Sequence, residues 1–462
     1  MDFSNALQVG VLFVVVLGIV IFVHELGHFL VAKWRGVTVL KFSLGMGPEI
    51  GGFTRGGTRY CLAWVPIGGF VQMAGDHLND DGSMPEGGPE QFLTHPWFGR
   101  ILIALAGPAA NLVGAWVVMV ALCMLGVQQP DYPPLLGTLP DTSAAHAAGL
   151  REGDRVLALA GRPVRTWHDL EEAADARDRA RPLVFDLDRG GRRLAVTVPG
   201  ADGARVLGGL EPLPRPPLVG SVMTGMPAYR AGLQEGDHVR AVDGAPVTRF
   251  DQIGAALRGR ADRPVRITIT RGGRTFDVSV TPMRPTGDAA SSLAVIGIEA
   301  PRGLTWTERF GPLAAVGAGF RLTGGVIASV YQGLWLTLSQ PVYYRQYVGG
   351  PIFIAQMARD SARRGLDNFL YFLAWIHVAI MSFNLLPVPL LDGGHIALAL
   401  LEALRRRAIS GRTYLNFQKV GLVLVGSLFV IIFSTDILRP LQRQQALGKA
   451  PRETTTVEPA RR

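Results

Sequence analysis

Long apolar runs alternate with polar stretches along this chain, and four of the runs have the length of a membrane-spanning helix. They cover about 8–31, 100–126, 368–391 and 417–438. Because a helix needs about 20 apolar residues to cross a bilayer, the pattern predicts a polytopic α-helical membrane protein with about four transmembrane helices. The residues before the first run lack the basic segment of a signal peptide, so we expect this helix to be retained.

Lysine and arginine residues are concentrated in two of the loops between these runs. One loop joins the first and second runs, and the other joins the third and fourth. Since basic loops tend to stay in the cytoplasm, both are predicted to be cytoplasmic, which leaves the N-terminus, the stretch 127–367 and the tail outside. The tail runs against this rule because it also carries basic residues, namely Arg439, Arg443, Lys449 and Arg452.

Residues 38–75 alternate between apolar and polar positions as β-strands do, and 54–60 has the composition of a hairpin turn. The segment therefore predicts a β-hairpin region directly after the first helix. Its sheet either offers an edge to an extended peptide or only shields the helix, and the sequence leaves both interpretations open. The acidic loop 76–90 is predicted to be a solvated linker.

A nine-residue motif occurs twice between the second and third apolar runs, at 148–156 and again 83 residues later at 231–239. Each copy continues into a Gly-x-Pro-Val turn, a short helix and an Arg-Gly-Gly-Arg hairpin, which predicts two compact α+β domains. The shared AGLxxGDxV pattern resembles bacterial PDZ domains, which bind peptides by adding a strand to a sheet. A role as a spacer or size filter without bound peptide remains the alternative.

The segment His24-Glu25-Leu26-Gly27-His28 lies inside the first apolar run. Two histidines four residues apart share one helix face and can bind a single Zn²⁺, with Glu25 beside the metal as general base. Charged groups at membrane depth are costly and tend to be functional. The location therefore favours a metal site over a helix that merely carries two surface histidines.

Asp392 is the candidate for the third zinc ligand. It stands in the segment NLLPVPLLDGG, which begins at Asn384. Two prolines break the helix and a glycine pair lets the chain turn, so a carboxylate can reach membrane depth. A helix-capping aspartate is the alternative. Because Cys61 and Cys123 form no CxxC pair, the zinc must use histidine and carboxylate ligands.

A fifth apolar stretch, 312–338, contains Arg321 and several glycines. If this stretch crossed the membrane, the extra crossing would place Asp392 on the opposite side from His24 and His28. We therefore interpret 305–365 as external helices that are partly amphipathic and lie on the membrane surface.

The HELGH and NxxPxPxLDG motifs together resemble the site-2 protease family of intramembrane zinc metalloproteases, and the tandem PDZ-like insert resembles its RseP type. The segment GPAAN at 107–111 is similar to the family's GxxxN element, and 38–75 is similar to its membrane-associated β region. The resemblance covers nearly the whole chain to about residue 440. It implies that the zinc ligands are His24, His28 and Asp392. It also implies that Glu25 is the catalytic base and that the amides of Asn384 and Asn111 bind the substrate.

The same resemblance implies a bacterial inner-membrane endopeptidase that cuts single-span membrane proteins within or near their transmembrane helix, after an upstream site-1 protease has trimmed them. Anti-sigma factors and remnant signal peptides are the implied substrates. The active site would lie toward the cytoplasm and the PDZ-like domains in the periplasm. A non-catalytic PDZ scaffold is one alternative, which the intact metal motifs oppose. A membrane-anchored protease of soluble substrates is the other, which the apolar flanks of HExxH oppose.

Six regions follow from these predictions. The membrane protease domain is predicted in two halves, 1–126 and 368–440, and the two PDZ-like domains at 127–210 and 211–285. An external linker with amphipathic helices is predicted at 286–367 and a flexible tail at 441–462.

The chain of 462 residues has a net charge of +9, but its arginines are spread over loops and the tail. We therefore expect the lipid bilayer as a partner and no nucleic acid. Among the other histidines, His395 lies one helical turn after Asp392 and is a candidate to support the ligands, while His377 is predicted to pack between helices. The remaining histidines are predicted to lie at the surface: His77, His95, His146, His168 and His238.

Overall fold

The computed structural model describes residues 3–79, 83–284, 294–301, 303–339 and 349–448. These form a membrane unit, Met1–Gly126 with Arg309–Pro440, and an inserted unit, Val127–Glu308. The helices are α1 (Phe3–Trp34), α2 (Trp97–Leu125), α3 (Ala144–Ala147), α4 (Trp167–Asp175), α5 (Gly200–Leu207), α6 (Pro227–Arg230), α7 (Phe250–Leu257), α8 (Pro312–Ser339), α9 (Pro351–Arg364), α10 (Leu366–Asn384), α11 (Asp392–Arg405) and α12 (Gly411–Gly448). The strands are β1 (Val39–Arg55), β2 (Thr58–Met73), β3 (Val127–Pro130), β4 (Arg155–Leu159), β5 (Arg162–Pro163), β6 (Leu183–Arg189), β7 (Arg192–Val198), β8 (Ser221–Val222), β9 (His238–Val242), β10 (Ala245–Pro246), β11 (Val265–Arg271), β12 (Arg274–Val280), β13 (Ile298–Glu299) and β14 (Thr305–Glu308).

Among the described residues, five helices are long and apolar enough to cross a membrane: α1, α2, α8, α10 and α12. The chain is therefore a polytopic helical membrane protein. Four of these helices correspond to the four predicted runs. The third run was placed too far along the chain, because α10 ends at Asn384, three residues before Pro387 removes a backbone donor.

The fifth helix, α8, belongs to the segment predicted to lie on the membrane surface. It packs along α2, with Ala315 and Ala318 buried against Cys123. A Cβ atom on Gly319 would lie 2.7 Å from a methyl carbon of Val120, so this glycine permits the close approach of the two helices. Asp392 does lie beside the two histidines, as the argument against an extra crossing requires. Length and composition alone do not place α8 across the bilayer, so its surface location stays a prediction. Residues 340–348, also part of that prediction, lie outside the described residues.

Strands β1 and β2 form the predicted hairpin after α1. Both strands bend, so that four segments lie side by side in the order 69–73, 39–44, 58–62 and 51–55. The segment 69–73 pairs on one side with 39–44, and no described strand pairs with its other side. One sheet edge is therefore left with unpaired backbone groups.

The acidic loop after the hairpin is less solvated than predicted. Leu78 and Met84 pack against the apolar cluster that joins α1, the hairpin and α2. The Asp76 carboxylate accepts a hydrogen bond of 3.0 Å from the backbone N–H of Met73. Residues 80–82 lie outside the described residues.

The inserted unit contains two four-stranded antiparallel sheets of the same topology. Their strand orders are β5-β4-β6-β7 and β10-β9-β11-β12, with α4 and α7 at equivalent places between the short strand and the following hairpin. The sequence repeat is therefore also a structural repeat.

The repeated Gly-Asp pair has the same ion pair in both copies. Asp154 and Asp237 are fully buried, and they accept hydrogen bonds of 2.7 and 2.6 Å from Nε of Arg189 and Arg271. Each arginine is the last residue before the glycines of the hairpin turn. Since a buried carboxylate must be compensated, this pairing explains why the Gly-Asp motif and the Arg-Gly-Gly-Arg hairpin recur together.

The second domain extends past the boundary predicted at 285. Ala294 and Ile296 belong to its apolar core, and β13 pairs with β8. Beyond it, β14 pairs antiparallel with β3, so that Pro130 and Thr305 are opposite one another. The entry and exit strands of the insert therefore form a two-stranded ribbon.

Candidate metal centre

The two histidines of HExxH lie one turn apart on α1, a helix that is long and apolar enough to cross a membrane. Both side chains are buried, and their Nε2 atoms are 3.2 Å apart. Glu25, between them, is partly exposed. The helical spacing alone brings two imidazole nitrogens together, as the sequence predicts.

Asp392 is the first residue of α11, where the chain restarts after the break that follows α10. A Cβ atom on Gly393 would lie 2.2 Å from the carbonyl oxygen of Leu386, and one on Gly394 would lie 2.4 Å from that of Val388. The turn therefore requires both glycines. Together with the prolines they aim the Asp392 carboxylate back at α1.

The Asp392 oxygens lie 3.1 Å from Nε2 of His24 and 3.3 Å from Nε2 of His28. Ligands about 2.0–2.1 Å from a tetrahedral zinc are roughly 3.3 Å apart, so these spacings suit one shared ion. Oδ2 of Asp392 is buried and makes no hydrogen bond of acceptable geometry despite its closeness to His24. Three lone-pair donors thus converge on one point, and a zinc ion fits the residues present.

The backbone and side chains of α2 orient the two histidines. Nδ1 of His28 lies 2.7 Å from the carbonyl oxygen of Ile103, to which an Nδ1–H donates, leaving Nε2 free as a ligand. A Cβ atom on Gly107 would lie 2.3 Å from Nε2 of His28 and 2.7 Å from Cε1 of His24. The glycine of the GPAAN segment therefore makes room for the metal centre.

Asn111, the last residue of GPAAN, is fully buried behind His24. Its side-chain amide lies 3.2 Å from Nδ1 of His24 on one side and 3.0 Å from Nδ1 of His377 on the other. The resemblance implied a substrate contact for Asn111, whereas its contacts here are to a candidate metal ligand and to a second histidine. The link to His377 was missed, although two buried polar residues in apolar helices are a signal that they pair.

Asn384 is the last residue of α10, and its Nδ2 lies 3.2 Å from Nε2 of His24. Unlike Asn111, it lines the open cavity beside the three candidate ligands. It is therefore placed where a group entering the site would meet it.

A cavity of about 520 Å³ opens from the candidate ligands. Its wall includes the hairpin residues 68–71, and the unpaired edge of the sheet therefore faces the site. Gly69 is close to Glu25, since a Cβ atom there would lie 3.5 Å from Cγ of Glu25. The backbone amide of Val71 also faces the Glu25 carboxylate. The sequence motifs did not predict these hairpin contacts to the base.

The remaining histidines lie in three kinds of surroundings. His395 lines the cavity, and its ring packs against Phe92 and Tyr414 rather than contacting the candidate ligands. The surface prediction is wrong for His95, which is 5% exposed and hydrogen-bonded to the Pro89 carbonyl. The others are exposed or partly exposed: His77, His146, His168 and His238.

Comparison with known proteins identifies the family. The model of peptidase family M50 matches residues 12–428, a span that contains all the candidate ligands and Glu25. A Neisseria meningitidis protein named "Putative zinc metalloprotease" is 29% identical over 458 residues, covering 93% of this chain and 98% of the relative. Relatives of the same name from Treponema pallidum and Ralstonia nicotianae are 30% and 31% identical, each covering 92% of this chain and 97% of the relative. The chain belongs to peptidase family M50, the site-2 protease family, and is a zinc metalloprotease.

Proposed function

We propose that this protease cuts single-span membrane proteins within or beside their transmembrane helix, after another protease has removed their external domain. One observation carries the proposal. The HExxH residues lie on α1, within Leu7–Trp34, which is long and apolar enough to cross a membrane. A peptide bond that reaches this site must itself enter the membrane or its interface.

His24, His28 and Asp392 would hold the zinc, and Glu25 would act as general base and acid. Zinc bound there supplies Lewis-acid chemistry, which promotes ionisation of a water and polarises the scissile carbonyl. The Glu25 carboxylate takes the proton from the attacking water and returns it to the nitrogen of the leaving amine. Glu25 is suited to this role because it is partly exposed to the cavity while both flanking histidines are buried.

The substrate must be held extended, because the carbonyls of an intact helix are hydrogen-bonded within it. The unpaired edge of 69–73 offers backbone donors and acceptors beside Glu25, so a substrate segment can add to the sheet as a further strand. Asn384 has both a donor and an acceptor in its amide and lies on the same cavity. We assign it to the substrate backbone.

Replacing Gly69 with Ala should lower the cleavage rate by about tenfold or more while the zinc content stays unchanged. The added Cβ would lie 2.9 Å from the Ser43 carbonyl oxygen and 3.5 Å from Cγ of Glu25, which displaces the sheet edge from the base. Initial rates on a trimmed substrate and zinc analysis give the two readouts. Gly51→Ala is the matched control, since a Cβ there meets nothing within 4 Å on the far side of the same hairpin. Equal rates for the two variants would refute the edge-binding role.

We place the enzyme in the bacterial inner membrane, with both basic loops cytoplasmic and the inserted unit periplasmic. The distribution of lysine and arginine between the loops supports this orientation. The native thiols make a clean background for labelling, because Cys61 and Cys123 are both buried.

A cysteine probe at Arg406 should react only with reagent on the cytoplasmic side, and one at Arg192 only with reagent on the periplasmic side. Both positions are exposed, Arg406 after α11 and Arg192 in the β6–β7 hairpin. Labelling of intact and opened spheroplasts with a membrane-impermeant maleimide checks this. Periplasmic labelling at Arg406 would reverse the orientation.

We also propose that the inserted unit, with its two PDZ-like domains, excludes substrates that still carry bulky external domains. Its position between α2 and α8 in the chain supports this role, as does the pairing of its entry and exit strands. A size filter needs bulk at this point of the chain and no specific groove.

Deletion of 131–304, with Pro130 joined to Thr305 through Asn-Gly, should permit cleavage of an untrimmed substrate while trimmed substrate is cut at a similar rate. The join uses strand residues that already face one another, so β3 and β14 become a simple hairpin. Paired assays on the two substrate forms, with zinc content as the folding control, provide the measurement. A variant that still rejects untrimmed substrate would move selection to the membrane unit.

Anti-sigma factors and remnant signal peptides are the substrate classes we propose, with a site-1 protease acting first. The test is co-expression of wild type or Glu25→Gln with quantitative proteomics of membrane fragments. Trimmed single-span proteins should accumulate with the variant and disappear with the wild type. Accumulation of soluble proteins alone would contradict an intramembrane substrate.

A further inference from the structure

A chain of buried polar contacts leads away from the metal centre, from His24 on α1 through Asn111 on α2 to His377 on α10. The two contact distances are 3.2 and 3.0 Å. Asn111 is 0% exposed and His377 is 1% exposed, so water cannot replace either partner. Because their surroundings are apolar, Asn111 and His377 depend on each other for the hydrogen bond between them.

Proton positions along this chain are fixed by metal binding. A histidine that binds zinc through Nε2 carries its proton on Nδ1 and needs an acceptor there. For His24 that acceptor is the Asn111 amide oxygen. The amide is oriented with Nδ2 toward His24, and a half-turn about its Cβ–Cγ bond exchanges nitrogen and oxygen. Zinc binding requires the exchanged orientation.

In that orientation the Asn111 NH2 group faces His377, and Nδ1 of His377 must accept its hydrogen bond. Neutral His377 with its proton on Nε2 meets this need. No described residue forms an ion pair with His377, and the ring is 1% exposed, so a charge on it would lack compensation. The ring is also held in place, because Gly114 leaves it room: a Cβ atom there would lie 2.9 Å from Cε1 of His377.

We propose that His377 is a positioning residue for the zinc centre: by accepting from Asn111 it holds the amide oxygen toward His24 and so selects the metal-binding tautomer of that ligand. The inference rests on the zinc ligands proposed above. Without His377, the Asn111 NH2 group has no acceptor when the amide oxygen points toward His24. It can then present that group to Nδ1 of His24, which places the His24 proton on the ligand nitrogen.

Substitutions at 377 separate an acceptor role from simple packing. The Oδ1 atom of Asn stands where Nδ1 of His stands, whereas the amide oxygen of Gln lies one bond farther out. His377→Asn should therefore bind zinc close to wild type, while His377→Gln and His377→Leu should bind it about 10- to 100-fold more weakly. Ser382→Ala is the matched control, since Ser382 is also buried on α10 but bonds only to the Val378 carbonyl.

The experiment is competition for zinc between each purified full-length variant and a chelator, with thermal unfolding of the metal-free forms as the folding control. Ring ¹⁵N shifts of histidine-labelled protein provide a second readout and should show unprotonated Nδ1 in His377. Wild-type zinc affinity in all three variants, or equal losses in the Asn and Gln variants, would overturn the inference. Zinc retained by a His24→Ala/His28→Ala variant would instead overturn the ligand set, and this inference with it.

Discussion

Glu25→Gln should lower peptide-bond cleavage by about 10²- to 10⁴-fold while the protein keeps its zinc. Glutamine has the size of glutamate but cannot take a proton from the attacking water. Among the described residues that line the cavity, Glu25 is the carboxylate that stands between the two candidate histidine ligands, beside Gly69 and the Val71 amide.

Single-turnover assays with purified enzyme and trimmed substrate measure this effect, and metal analysis of the same samples measures zinc. Glu49→Gln is a suitable control because that residue lies on the hairpin outside the cavity lining and pairs with Arg59. Residual activity above a few per cent in Glu25→Gln would mean that another group accepts the proton.

The His24→Ala/His28→Ala variant should fall from one zinc per chain to nearly none. A single carboxylate cannot replace two imidazoles, because a catalytic zinc requires three protein ligands and an open position. The Asp392 carboxylate would also lose both of its partners at 3.1 and 3.3 Å.

Metal analysis after gel filtration in a weak chelator checks this prediction. His77→Ala is the matched control, because His77 lies on the rim of the same cavity with an 81% exposed side chain and should leave zinc content unchanged. Stoichiometric zinc in the double variant would show that the metal is held elsewhere.

The membrane helices could be predicted from the sequence because apolar length alone decides whether a helix can cross a bilayer. The same criterion also admits α8, which is predicted to lie on the membrane surface because an extra crossing would separate Asp392 from the two histidines. Arg321 is exposed in the structure, and Gly319 is a point of close contact with α2. The sequence did not reveal the contact that the small residues of α8 make with α2.

The candidate site could be predicted in part, where local sequence spacing decides which residues are neighbours. Helical periodicity places His24 beside His28, but nothing local links either one to Asp392, which was joined to them by the combination of motifs. The bend of the hairpin could not be predicted, because alternation of apolar and polar residues does not show that one part of β1 pairs with two parts of β2. The contact between Asn111 and His377 spans 266 residues and depends on how α2 and α10 pack.

The most direct measurement is the position of the cut. Purified enzyme and a trimmed single-span substrate are reconstituted in proteoliposomes, and the new termini are mapped by mass spectrometry with Glu25→Gln as the blank. We expect termini within or at the edge of the substrate's apolar segment, lost on zinc chelation and absent with Glu25→Gln. Zinc-dependent termini found only in water-exposed segments would contradict an intramembrane protease.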